Sequence, residues 1–266
     1  MGTVRIIGGS SSTITNTTTN VTNNVIDTSV PFLLKVQKGQ VPGNKIQPFV
    51  ARKIGLGVTM ADIGSIGGIL TLPSLAGPIT VISTSILDTI TGTGGQVVFV
   101  EGLDANFNEI SEVIVLNGTS SVLSTKSFIR IHKATLVSAG SLGSNQGLIN
   151  LSIGGVINSA IQIGDNVSYN PHYTIPNKKT GFILKAFVSS GKNAAGHVGL
   201  WVRPLATGVY QEAFQTDVFE TFAFADFEYN AVFPPKTDLV IRGKNIGAGV
   251  IDMFAYYALL IVDDGA

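Results

Sequence analysis

The chain contains no cysteine, which excludes disulfides and thiolate metal sites. Charge is scarce as well: 13% of residues are charged, against about a quarter in an average globular protein. The 17 basic and 17 acidic residues balance, and no block of Lys or Arg offers an electrostatic footprint for nucleic acid. No direct nucleic-acid partner is therefore expected. A sustained helical period is missing throughout. The stretch of residues 1–7 is too short in its apolar run for a signal peptide, so the expected origin is a cytoplasm, without standard secretion. With so little charge, solubility rests on Ser, Thr, Asn and Gln. Such a surface suits burial against sister copies or a larger assembly.

What the chain does contain is strand-forming sequence. Its 266 residues, 44% hydrophobic, are enough for one large β domain or two smaller ones. Residues 8–29 are a Gly/Ser/Thr/Asn tract that cannot bury enough apolar surface to fold alone. They read as an extended N-terminal arm over residues 1–29, with Ile6, Ile7, Ile14, Val21, Val25 and Ile26 as its docking residues on a partner chain. From Pro31 onward, short runs rich in Val, Ile, Leu, Thr and Phe alternate with Gly, Pro, Asn and Asp turns. Strands are expected over 96–103, 109–116, 122–123, 128–137, 148–153, 181–189, 196–203, 239–242 and 250–262. Asn117-Gly118 carries the strongest two-residue hairpin signal. In 128–137, alternation places Phe128, Arg130, His132 and Ala134 on one face and Ile129, Ile131, Lys133 and Thr135 on the other. The expected class is all-β, jelly-roll-like sandwiches. One β-rich domain spans 30–160 and a second β-sandwich spans 161–266; the alternative is a single sandwich drawing strands from both halves.

The chemical motifs are weak. Asp104-Ala105-Asn106-Phe107-Asn108 opens like an EF-hand loop, but Glu109 and Val115 stand where that loop needs Gly and a bidentate Glu. A turn is the expected reading. His132, His172 and His197 are widely spaced and lack the H-E-x-x-H pattern of zinc enzymes, so each is expected to be buried or in a turn with a satisfied hydrogen bond. Glu101, Glu109 and Glu112 share one hairpin, yet nothing marks a glycosidase cleft around them. No phosphate loop or serine-hydrolase elbow is present. Residues 63–87 carry no charge and are long enough to cross a bilayer, but Pro73, Pro78 and the interspersed Gly break a helix; buried strands are expected there rather than a membrane span. No catalytic, cofactor or metal site follows, and no enzyme activity is expected.

Two stretches resemble structural proteins of marine tailed bacteriophages and some algal viruses. The first lies in 97–139: Val97-Val98-Phe99-Val100-Glu101-Gly102-Leu103-Asp104, then Val115-Leu116-Asn117-Gly118-Thr119, then Ser127-Phe128-Ile129-Arg130-Ile131. The second runs Tyr173-Thr174-Ile175-Pro176, Thr180-Gly181, Trp201-Val202-Arg203-Pro204, Thr237-Asp238-Leu239 with Arg242, and Leu260-Ile261-Val262-Asp263-Asp264. The resemblance implies a virion protein in a fibre, cement or tail-associated role, with other virion proteins such as capsid or tail as partners and no catalytic residues. Self-association as a homotrimer is the expected state. The competing expectation is a tail-fibre adhesin that stacks a host glycan on aromatics such as Trp201, Tyr210, Tyr229 or Tyr256.

Overall fold

The computed structural model describes residues 30–191, 194–219, 222–226 and 231–265. The expected arm and its six docking residues lie outside these. The elements run α1 (Phe32–Gln37), β1 (Asn44–Leu56), β2 (Ala61–Asp62), β3 (Gly77–Ser83), β4 (Gly95–Leu103), β5 (Glu109–Val115), β6 (Val122–Phe128), β7 (Arg130–Ala139), β8 (Ile149–Ile153) and β9 (Val156–Ile161). They continue with β10 (His172–Thr174), β11 (Lys179–Ser190), β12 (Ala195–Arg203), β13 (Gln211–Phe219), β14 (Phe222–Asp226), β15 (Val232–Phe233), β16 (Asp238–Asn245) and β17 (Ile251–Asp263). The chain is nearly all β, in antiparallel sheets, as expected. The short helix α1 is a correction to the pattern, which reads β from Pro31 onward. Pro31 stands at its N-cap, where fixed φ and a missing N–H cost nothing.

Two sheets share the larger core. One has the order β1-β17-β11-β14, with β15 also on β11; the other has β10-β16-β12-β13, with β2 also on β16. β17 shows why it is central: Ile251, Met253, Ala255, Tyr257, Leu259 and Ile261 recur at period two and enter the core together. Sheet β10-β16-β12-β13 supplies Val198, Leu200, Val218, Leu239 and Ile241 from the opposite side. Each fully buried aliphatic side chain of this kind contributes about 1.5–3 kcal/mol of transfer free energy. This core is not assembled from one half of the sequence. β1 pairs with β17 from Asn44↔Val262 to Leu56↔Ile251, and β2 pairs with β16. The paired rungs nest: β1 with β17, β2 with β16, β11 with β14, and β12 with β13.

A second pair of sheets lies in the connection between β2 and β11. Its orders are β6-β3-β8-β9 and β5-β4-β7. Ile79, Val81, Leu151 and Ile161 face Val98, Val100, Ile114 and Ile131 across its core. Asn117-Gly118 does not close a hairpin here. β5 pairs with β4 and β6 with β3, so the turn carries the chain from one sheet to the other, with Gly118 at φ 60°. At that same end Asp88 is fully buried. Its carboxylate accepts hydrogen bonds from Ser83 Oγ (2.5 Å) and from the N–H groups of Gly95 (2.7 Å), Gln146 (2.8 Å) and Gly147 (2.9 Å), which pins the loops together. Within 63–87, only residues 77–83 form a strand, so most of the expected buried strands are loop.

The alternation expected in β7 fails at one residue. Glu101 pairs with Lys133 but Gly102 pairs with Ile131, leaving His132 as a bulge. The bulge resets the faces, so Ile131 and Ala134 both enter the core. Gly102 permits this close approach, because a Cβ there would stand 2.0 Å from the Arg130 carbonyl oxygen. Replacing Gly102 with Ala is expected to lower stability by about 2 kcal/mol or more, through backbone displacement. Gly57→Ala, which meets nothing within 4 Å, is expected to be near neutral. Urea unfolding of both variants checks this.

Candidate functional site

The two pairs of sheets meet at a buried ionic node. Asp238, at the start of β16, is 1% exposed, and Arg130, at the start of β7, is 3% exposed. Arg130 grips the carboxylate with two parallel bonds, Nε to Oδ1 at 2.9 Å and Nη2 to Oδ2 at 3.2 Å. Its Nη1 donates to the carbonyls of Pro73 (2.7 Å) and Ile129 (2.8 Å). Arg203 of β12 adds Nε (3.0 Å) and Nη2 (2.6 Å) to Oδ2, and Thr174 Oγ1 donates to Oδ1 at 2.5 Å. Burial alone would raise the Asp238 pKa, but the hydrogen bonds and charge of Arg130, with Thr174 and Arg203, hold it below the usual carboxylate value. A second ion pair lies on the other face of sheet β10-β16-β12-β13, away from the larger core, which takes Leu239, Ile241 and Leu200. Arg242 Nε meets Asp62 Oδ1 at 2.9 Å, and its guanidinium lies over the rings of Trp201 (5.1 Å) and Tyr210 (4.4 Å).

Two histidines flank the first node. The His132 bulge carries its ring to Tyr173, with ring centroids 4.3 Å apart, and Nε2 accepts the Thr174 N–H at 3.1 Å. That acceptor role requires the neutral ring. His172, 1% exposed, departs from the expectation of a satisfied histidine: neither ring nitrogen closes a hydrogen bond, though the Ile131 backbone lies close by. Burial first, then the charge of Arg130, lowers its pKa to about 4. Burial and the neighbouring His172 lower His132 as well. His197 sits elsewhere, with Nδ1 2.7 Å from Asp217 and Nε2 3.3 Å from Glu212.

Beside the node a cleft of about 640 Å³ opens between β1 and the outer face of β4, β5 and β7. Phe49, Phe99, Glu101, His132, Lys133 and Tyr169 are among its lining residues. Protein surrounds the His132 ring while one edge stays open to this cleft. β1 is the terminal strand of its sheet here, but Pro48 lacks an N–H and Gln47 Nε2 occupies the Pro48 carbonyl at 3.0 Å. Both features blunt the edge against an added strand.

The hairpin glutamates are divided among separate partners. Glu109 pairs with Lys45 and, at 3.5 Å, with Lys179; Glu112 accepts the N–H groups of Thr125 (2.7 Å) and Lys126 (2.9 Å). Only Glu101 and Glu109 line the cleft. Asp104 Oδ1 accepts the N–H groups of Asn106 (2.8 Å) and Asn108 (2.9 Å), the geometry of a turn. Among the described residues, no group of three His, Cys, Asp or Glu is placed to share a metal ion. None of their helices is long and apolar enough to cross a membrane. Of the aromatics expected to stack a sugar, Trp201 and Tyr210 are engaged by Arg242, Tyr256 is half-buried in β17, and Tyr229 lies outside the described residues. Pattern reading missed the node itself. Its members Arg130, Thr174, Arg203 and Asp238 all fall inside the two stretches that resemble virion proteins, which was the available signal.

No family model and no curated protein matches the chain. Among solved structures, the chain is similar to infectious bursal disease virus, Gx strain, at 13% identity and a TM-score of 0.24, over 89% of this chain and 79% of that one. The VP2 subviral particle of the same virus aligns at 10% identity and a TM-score of 0.20, over 89% and 78%. Both scores lie below the range in which a shared fold follows.

Buried neutral histidines make stability depend on pH. The unfolded chain protonates His172 near 6.5 and the folded chain near 4, so stability is full above about 6.5 and is lost as pH falls toward 4. The loss from His172 alone is about 3 kcal/mol, with His132 acting in the same direction. Urea unfolding at pH 7.5 and 4.5 checks this. In His172→Phe the pH dependence is expected to shrink, with little loss at pH 7.5.

Proposed function

We propose that the chain is a non-enzymatic structural protein of a virus particle: a capsid-decorating cement or short fibre protein held by its N-terminal arm. The observation that carries this reading is the nesting of eight strands, β1 with β17, β2 with β16, β11 with β14, and β12 with β13. We read that winding as a jelly roll, an architecture used by viral capsid and lectin domains. The inference from architecture to role is an analogy of fold. Support of a different kind comes from the surface. Charge is low, and apolar side chains such as Leu75, Ile86, Val113, Leu123 and Phe222 stand exposed. Surfaces of that kind are normally covered in an assembly. The resemblance of 97–139 and 173–264 to phage virion proteins points the same way. On this reading the unit at 77–161 is an elaboration carried on the jelly roll, and Ile6, Ile7, Ile14, Val21, Val25 and Ile26 grip a neighbouring virion protein.

The homotrimer belongs to the same proposal. Light scattering on the purified full chain is expected to give three times the 27.8 kDa monomer mass. Antibody raised against the chain is expected to label intact particles at regularly spaced sites. Unlabelled particles would contradict the virion role, and label confined to the tail tip would contradict capsid decoration.

A further inference from the structure

The cleft between β1 and the outer face of β4, β5 and β7 encloses about 640 Å³. Sites for small molecules usually span about 300–1,000 Å³. Phe99 and Tyr169 bring half-buried aromatic rings to it. Period two along β4 sets Phe99 and Glu101 on this outer face, since Val98 and Val100 enter the core. Three polar groups at the cleft are uncommitted within the described chain. Nε2 of His132 accepts the Thr174 N–H, so the neutral ring carries its proton on Nδ1, and no described residue bonds that nitrogen. The Glu101 carboxylate and the Lys133 ammonium stand on paired residues of β4 and β7, yet neither closes a hydrogen bond or ion pair with a described residue. Tyr173, 2% exposed, also lines the cleft, and its buried hydroxyl has no partner. Burial first, then the charges of Glu109 and Glu101, raise its pKa, so the hydroxyl lies toward the carboxylates of the cleft. A buried hydroxyl left unpaired is costly, and a bound hydroxyl group would relieve it.

The charges of the cleft decide the class of ligand. Lys45 is matched by Glu109, and Lys133 by Glu101 on the paired strand. Lys126 Nζ donates to the Ser111 carbonyl at 2.7 Å, and its charge acts on Glu112. With each lysine matched, the cleft holds little attraction for a free anion or cation. It offers donors and an acceptor side by side, next to aromatic rings. Sugar hydroxyls donate and accept alike, and the C–H faces of a pyranose ring stack on aromatic faces. An extended peptide is a poorer match, because Pro48 and the Gln47 contact to its carbonyl blunt the β1 edge.

We propose that this cleft binds a neutral saccharide, with Glu101, Lys133 and the His132 Nδ1–H holding its hydroxyls and Phe99 carrying a sugar face. Such a site is independent of the structural role proposed above, and either can fail alone. The test applies the labelled full chain to an array of immobilised oligosaccharides. The array carries neutral hexose and N-acetylhexosamine chains beside sialylated and sulfated ones. Binding to a subset of the neutral chains is expected. By titration calorimetry, affinity for those chains is expected to fall about tenfold or more in Glu101→Gln and in Phe99→Ala. It is expected to stay at the parent value in Phe222→Ala, whose ring is 64% exposed on β14. Far-UV circular dichroism checks that each variant keeps the parent β spectrum. Glu101→Gln, a change of equal size at an exposed position, decides the matter if Phe99→Ala fails to fold. No binding to the array, or binding confined to the acidic chains, overturns the saccharide assignment. Neutral-chain binding that survives the cleft variants, or that falls equally in Phe222→Ala, overturns the cleft as its place.

Discussion

The arrangement of the molecule depends on one buried carboxylate. Asp238 starts β16 in the sheets of the larger core, and it receives Arg130 from the start of β7 in the other unit. Taking these charges out of water is costly, and the cost is met only because the donors and acceptors are matched. Arg130 spends Nε and Nη2 on the carboxylate and Nη1 on two carbonyls, while Thr174 and Arg203 fill the remaining acceptor positions. A buried pair of this kind adds little net stability compared with apolar packing. What it contributes is direction, since a bidentate fork fixes angle as well as distance. The cleft, the His132 bulge and the stacking of His132 on Tyr173 all follow from where this fork holds β7.

Much of the fold was legible in the sequence, because strands announce themselves by local alternation. β4, β5, β8, β11, β12 and β17 fall within a residue or two of the segments that the apolar pattern marks. The pairing of those strands was not legible. Nothing local tells that residues 44–56 lie beside 251–263, because that register is set by burial of both strands in one core. Asn117-Gly118 shows the same limit. It makes its turn, but the strands on either side choose partners in different sheets. The bulge at His132 was hidden for another reason: one unpaired residue reverses every later face assignment in the strand, and period-two reading cannot see it. The node was half visible, since its residues sat in the two stretches that resemble virion proteins while their meeting depends on tertiary placement.

Polar burial is distributed with a consistent logic. Where the two units touch, burial is ionic and directional. On the outer face of sheet β10-β16-β12-β13, Arg242 and Asp62 sit under Trp201 and Tyr210, so charge is shielded by aromatic faces. At the far end of the 77–161 unit, Asp88 is held by a hydroxyl and backbone N–H groups alone. A partly exposed ion pair, Arg52 of β1 with Asp165 at 3.5 Å, lies beside the same loops. A chain so poor in charge has concentrated most of its ionic bonding where its parts must be aligned.

The central claim is that the Asp238 node joins two separately cored units into one cooperative structure. Differential scanning calorimetry of the full chain and of Asp238→Asn tests it most directly. For the wild-type chain the account predicts a single transition whose calorimetric and van't Hoff enthalpies agree. For Asp238→Asn, which leaves Arg130 buried without its counter-charge, it predicts two separate transitions. Two transitions already present in the wild-type chain, or one unshifted transition in Asp238→Asn, would contradict it.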